Sequence, residues 1–319
     1  MVLIIYCHAF EKKCYLTQNG NDGFGHQVEG KLSCLLLSLY STNIIYVHTA
    51  FHRFEHVHWN DQQIDDMENF TSIGYGSSSV AEVMSNKSNH FKIQIFKGRA
   101  LFPALKRLFF RNECDSNIIH SVDNCWDIVY REPIQHISNS PDMKLQLFRR
   151  YSRYPKPDTN FSDNSLNIVM HIRGGDSGSR IMDVRYFSAG LEFYINYYSH
   201  INKSISVWLC SEDNIGLEYS QLLQSNYSRV EFIQSSATDS LQVIFHRMVM
   251  ADGFIISPSS LSLSAILLSR APIIAVPGDG YFWDMRWPWI NTSYFHKVNI
   301  QKGWRNFIGH PRNGFFYGD

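Results

Sequence analysis

From residue 165 onward the chain alternates between short, unbroken apolar runs and longer stretches in which apolar residues return every three or four positions. The runs Asn167 to Ile172, Ile205 to Cys210, Val230 to Ile233, Phe254 to Ser257 and Ile273 to Val276 read as strands buried on both faces. The stretches between them, near Val184 to His200, Asn214 to Gln224, Ser240 to Met250 and Leu261 to Ser269, carry the helical period. Five strands separated by four helices predict right-handed crossovers and a parallel, doubly wound sheet.

The first half is less regular. Val2 to Cys7 reads as a strand and Gly25 to Tyr40 as a helix with Val28, Leu32, Leu35, Leu36 and Leu39 on one face. Asn43 to His48 supplies a second strand, and a glycine-rich turn precedes the helix, as in a nucleotide-binding unit. From Asp61 to Asn124 the periodicity fades, which predicts short helices and loops. The Pro-, Asp- and Ser-rich segment Tyr154 to Ser165 reads as a linker. The expected architecture is α/β, with two Rossmann-like domains, 1–155 and 156–319, whose mostly parallel sheets face a central cleft.

Composition narrows the classes without choosing among them. A chain of 319 residues with 44% hydrophobic and 18% charged residues is long and apolar enough for two cores. Lys plus Arg and Asp plus Glu balance at 29 each, so no global field favours nucleic acid or a membrane surface, and an anion must be held locally. No run reaches the length of a membrane span, and Met1 to Tyr6 is too short for a signal peptide. The six cysteines, Cys7, Cys14, Cys34, Cys114, Cys125 and Cys210, show no zinc spacing and read as reduced core thiols, with a Cys114–Cys125 bridge as the alternative. A soluble cytoplasmic protein is expected. Asn69, Asn86, Asn160, Asn202, Asn226 and Asn291 each open an Asn-x-Ser/Thr triplet, which an Asn- and Ser-rich chain also produces by chance.

The chemistry concentrates where the strand Asn167 to Ile172 ends in Arg173-Gly174-Gly175-Asp176. The carboxyl end of such a strand opens into a ligand crevice, glycine lets a ligand approach the main chain, and Arg173 offers a charged fork suited to a diphosphate. A structural salt bridge between Arg173 and Asp176 is the competing reading. The Ser259 and Ser260 hydroxyls and nearby amides, at the start of the helix from Leu261, make a second anion site or an ordinary N-cap.

Three segments together resemble a known superfamily. Asp22-Gly23-Phe24-Gly25-His26-Gln27 resembles the glycine-rich turn near the amino end of protein O-fucosyltransferases and α1,2-fucosyltransferases. His171-Ile172-Arg173-Gly174-Gly175-Asp176 is similar to the His-x-Arg-Arg-x-Asp motif these enzymes use on GDP-fucose. The order from Asp239 through Met248, Asp252 and Ile255 to Ser257-Pro258-Ser259-Ser260-Leu261-Ser262, then Ile273 to Pro277, resembles their carboxyl-terminal block. His26 stands where the family has Asn, and Gly174 where the α1,2 and α1,6 families have a second Arg.

The resemblance implies an inverting GT-B glycosyltransferase that moves L-fucose from GDP-fucose to a hydroxyl of a glycan or glycoprotein; the charge balance and the absence of a long apolar run add the expectation of no nucleic-acid partner and no membrane span. It implies that His171 contacts the base or ribose, against the alternative of a core His, and that Asp239 contacts the nucleoside, against a helix cap. Asp213, at the end of its strand, is a further nucleoside-facing candidate. His26 lies near the implied reacting centre as candidate base, with Asp22 and Glu29 as alternatives. Arg173 would neutralise the departing diphosphate. No metal or other cofactor is expected, because the chain has no Asp-x-Asp motif. His52 and His56, within the cluster His48, His52, Phe54, His56, His58 and Trp59, have metal-compatible spacing but lack a completing carboxylate. That cluster reads otherwise as an acceptor-facing wall or an exposed loop, and Tyr281, Phe282, Trp283, Trp287 and Trp289 as stacking surfaces or packing. The alternatives are another donor, such as UDP-xylose, and a catalytically silent glycan- or nucleotide-binding protein.

Overall fold

A computed structural model describes residues 13–20, 22–52, 60–85, 91–97, 101–111, 113–123, 125, 141–174, 181–211, 215–235, 239–277 and 295–298. The chain divides into two compact units, one running to Lys156 and the other starting at Pro157.

The first unit contains β1 (Cys14–Gln18), α1 (Phe24–Tyr40), β2 (Ile44–Tyr46), α2 (Asp61–Thr71), α3 (Val80–Ser85), β3 (Lys92–Phe96), α4 (Leu101–Arg111), β4 (Ile118–Val122) and α5 (Pro141–Tyr151). Its strands run in the order β2-β1-β4-β3, all parallel. The strand feeding the glycine-rich turn is therefore Cys14–Gln18, which the sequence reading missed; Val2 to Cys7 lies outside the described residues. The weakly periodic region from Asp61 also holds two strands rather than loops. β3 is an exposed edge, with Ile93 47% and Ile95 59% accessible, so it lacks the alternation that marks a half-buried strand. Helix α1 departs from the one-faced expectation, since every residue from Gln27 to Leu37 is buried. It lies against β1, β2 and α5, which together enclose it.

Two disulfides overturn the reading of reduced thiols. Cys14 bonds Cys114 and Cys34 bonds Cys125. The alternative Cys114–Cys125 bridge fails for a physical reason: β4 lies between them, and a five-residue strand spans about 17 Å, far beyond disulfide reach. Both bridges instead fasten β4, one before and one after it, to the β1–α1 segment. Cys210 is a free, buried thiol, pushed up to about 11 by burial.

The second unit contains β5 (Ser165–Ile172), α6 (Val184–Tyr197), β6 (Ser204–Ser211), α7 (Ile215–Gln224), β7 (Val230–Gln234), α8 (Leu241–Met250), β8 (Gly253–Ile255), α9 (Ser260–Leu268), β9 (Ile274–Pro277) and β10 (Phe295–Val298). The five expected strands are present, and β10 is an addition. The all-parallel order is β10-β9-β8-β5-β6-β7. The unit's first strand thus lies in the middle, and the chain builds outward on one side before crossing to the other, as in nucleotide-binding doubly wound sheets. Every residue of β5 is buried. Leu166, Ile168, Met170 and Ile172 face a core shared with Tyr186, Phe187 and Leu191 of α6. The alternate residues face the other layer, where His171 meets Ser262 of α9. Tyrosines on α6 fasten that helix to the sheet: Tyr186 donates to the Ile256 carbonyl at 2.8 Å and Tyr194 to the Ile273 carbonyl at 2.6 Å. Gly253 permits this approach, because a Cβ there would lie 2.9 Å from the Tyr194 ring.

Candidate functional site

Parallel sheets open a crevice where the chain's direction of build reverses, because loops from neighbouring strands leave to opposite faces there. In the second unit that point lies between the carboxyl ends of β5 and β8, which are paired through Met170 and Ile255. The Arg173-Gly174 segment leaves from β5 and the segment Ser257 to Ser260 from β8, so the two motifs recognised in sequence emerge side by side.

Ser257 joins them. Its hydroxyl donates to the His171 carbonyl and accepts from the Arg173 amide at 3.0 Å, replacing ladder bonds that end with β8. Ser257 is fully buried, so this stitch fixes the backbone that launches the Arg173 side chain. Arg173 itself is half-buried and Gly174 buried. Gly175, Asp176 and Asp213 lie outside the described residues, and with them the proposed Arg173–Asp176 pair.

His171 is 3% exposed, and its Nδ1 lies 2.5 Å from the Ser262 hydroxyl. Burial, and then the Arg173 charge, push its pKa down to about 3. The imidazole is therefore neutral at physiological pH, and the core reading describes it, with a helix serine rather than a strand as partner. This has a consequence for acid stability. The unfolded chain takes up a proton near the ordinary value of 6.5 that the folded His171 refuses until about 3, so stability falls as pH drops through that window. Urea unfolding from pH 7 to 3 should show a shallower decline for His171→Asn than for the natural chain; parallel declines would contradict the buried neutral state.

Ser259 acts as the N-cap of α9, accepting from the Leu261 amide at 3.2 Å. The cap reading holds for its side chain, while Ser260 opens the helix beside it. α9 is apolar and buried from Ser262 to Leu268. The cap reading of Asp239 fails. Ser240, not Asp239, caps α8, accepting from the Val243 amide. The Asp239 carboxylate instead pairs with Arg247 at 2.5 Å. Arg247 is 2% exposed, donates to the Thr159 carbonyl at 2.9 Å, and stacks over Trp208 at 4.4 Å. A buried guanidinium with those partners makes Asp239 part of the unit's interior charge balance.

In the first unit the switch falls between β1 and β4, where the β1–α1 turn carries the other candidates. The Gly23 amide donates to Asp22 Oδ1 at 2.6 Å, and His26 Nδ1 lies 3.8 Å from Asp22 Oδ2. The His26 side chain is 26% exposed and that of Asp22 51%, whereas Glu29 is 4% exposed. Accessibility therefore separates the three: His26 and Asp22 reach solvent, and Glu29 does not.

Gln27, which has no role legible in the sequence, holds this turn. Its Nε2 donates to the Asp22 carbonyl at 2.8 Å, and its Oε1 accepts from the His52 amide at 3.0 Å. His52 also bonds Asn19 through its ring. His48 is bound elsewhere, to Glu68 at 2.5 Å and to the Tyr46 hydroxyl at 3.0 Å. The two described histidines of the His48 to Trp59 cluster thus serve separate networks; residues 53–59 lie outside the described ones. Lys31, buried on the same helix, donates to the Thr49 carbonyl. Its pKa is lowered to about 8 by burial, with Glu68 acting in the opposite direction. Buried Gln27 and Lys31 leave a sequence signal, polar residues inside an otherwise apolar helix, but their partners depend on the fold. Tyr281, Phe282, Trp283, Trp287 and Trp289 are outside the described residues. Among those described, no helix is long and apolar enough to cross a membrane.

No family model matches the chain. No curated protein matches it either. Solved structures similar to it include fucosyltransferase NodZ from Bradyrhizobium, at 14% identity and TM-score 0.43, covering 82% of this chain and 94% of that one. POFUT1 in complex with GDP-fucose is similar at 12% identity and TM-score 0.46, covering 82% and 97%. E. coli heptosyltransferase WaaC with ADP is similar at 11% identity and TM-score 0.35, covering 84% and 88%.

Proposed function

We propose that this chain is an inverting glycosyltransferase of GT-B type, taking L-fucose from GDP-fucose to a glycan hydroxyl without a metal. The observation that carries the proposal is the position of Arg173. It follows the central strand at the topological switch, beside the amino end of α9, where a nucleotide's diphosphate would be expected to lie.

The chemistry follows from charge. As the bond from the anomeric carbon to the diphosphate oxygen breaks, negative charge grows on the leaving group and positive charge on the sugar. A guanidinium carried on a backbone that Ser257 holds would meet that charge, and the amino end of α9 adds a favourable dipole. His171, neutral and bonded to Ser262, supports this wall without competing for phosphate. In the first unit His26, with Asp22 nearby, is the candidate to accept the proton of the attacking hydroxyl. Attack on the face opposite the departing diphosphate inverts the anomeric centre.

Incubation with GDP-fucose, UDP-xylose and ADP-, UDP- and dTDP-hexoses, with and without glycan acceptors, tests the reading through release of nucleoside diphosphate. GDP release from GDP-fucose, accelerated by an acceptor, is expected. Release from UDP-xylose alone would retain the transferase class and replace the donor. Thermal stabilisation by GDP with no turnover of any donor would favour the silent binding protein.

A further inference from the structure

We infer that Asn160, Asn202 and Asn226 carry N-linked glycans, placed together on the amino-terminal edge of the second sheet. In sequence these triplets are indistinguishable from chance, and the fold changes that. Asn160 lies five residues before β5, Asn202 two before β6 and Asn226 four before β7. Those three strands are adjacent and parallel, so their amino ends share one edge, and Arg173 and Ser257 leave from the opposite one. All three asparagines are exposed. Asn160 stands in a left-handed turn at φ 58°, a conformation that Asn tolerates better than most residues.

The cysteines supply the second, independent observation. Cys14–Cys114 and Cys34–Cys125 form two bridges, and such structural bridges persist in oxidising compartments rather than in the reducing cytosol expected from the sequence. A eukaryotic secretory lumen is an oxidising compartment in which Asn-x-Ser/Thr acceptors are modified. There the Asn Nδ2 bonds the anomeric carbon of a lipid-diphosphate-linked oligosaccharide. The carbon–oxygen bond to the diphosphate breaks, the lipid diphosphate leaves with the electron pair, and the amide gives up one proton. The remaining N–H suffices at Asn226, whose Nδ2 donates to the Leu222 carbonyl at 3.3 Å. Asn69 is also exposed but sits within α2 of the first unit, and Asn86 and Asn291 lie outside the described residues. The inference holds whether or not the chain transfers sugar.

The test uses the full-length protein from the cells that make it. Treatment with a glycosidase that cleaves at the glycosylated amide leaves Asp in place of Asn, read by peptide mass spectrometry, while a non-reducing map reads the bridges. Conversion at Asn160, Asn202 and Asn226, with both bridges formed, is expected. The triple variant N160Q/N202Q/N226Q should lose the glycosidase-sensitive mobility shift these sites contribute. Unmodified asparagine at two or more of them, or free thiols at both cysteine pairs, overturns the inference.

Discussion

Replacing Arg173 with alanine is expected to lower kcat by about a hundred- to a thousandfold, the range found when one preorganised group facing developing negative charge is removed. The loss should fall on kcat and kcat/KM together, because the leaving-group charge the guanidinium meets grows only in the transition state. Arg173→Lys should recover part of the rate, since an ammonium keeps the charge but not the two-pronged geometry. The bond between the residue-173 amide and Ser257 survives the substitution, because it runs through the backbone, and a melting curve of the variant reads any further cost of removing the side chain. A normal rate in the alanine variant with an unchanged melting curve would remove Arg173 from the chemistry.

The second large effect concerns the first unit. Cys34 and Cys125 close a separation of 91 residues and Cys14 and Cys114 one of 100, so either bridge removes much conformational freedom from the unfolded chain. In the chain-entropy account, a loop of this length corresponds to about 4.6 kcal/mol of stability for a bridge. Paired Cys34→Ser and Cys125→Ser substitutions should therefore lower the urea midpoint of this unit strongly, and reductant, which opens both bridges, should lower that of the natural chain further. The second unit holds neither bridge and should not respond. An unchanged midpoint in both the variant and reductant would mean that the bridges are not formed in solution.

The second unit was readable in sequence because its central strands are buried on both sides and so are written as unbroken apolar runs. The first was not. Its β1, Cys-Tyr-Leu-Thr-Gln, buries Thr17 and Gln18, and β3 exposes its isoleucines, so neither shows the pattern of its surroundings. Helix α1 conceals Glu29 and Lys31, which a one-faced reading would leave in water. In the candidate site, residue type and strand end single out Arg173 and Ser259. Ser257 and Ser262 were not assigned roles, because both depend on the pairing of β5 with β8 and on α9 lying behind His171. The pairing of Asp239 with Arg247, eight residues on and inside α8, was not legible, because it depends on where the start of the helix places the carboxylate. The cysteine pairs were misread because they follow neighbours in space across the sheet, not neighbours in sequence.

The most direct measurement is a crystal structure of the protein bound to GDP-fucose or GDP. Diphosphate oxygens within hydrogen-bond distance of the Arg173 guanidinium, with the nucleotide lying across the carboxyl ends of β5 and β8, are predicted. A nucleotide bound elsewhere, with that guanidinium turned into an ion pair with a protein carboxylate, would contradict the account.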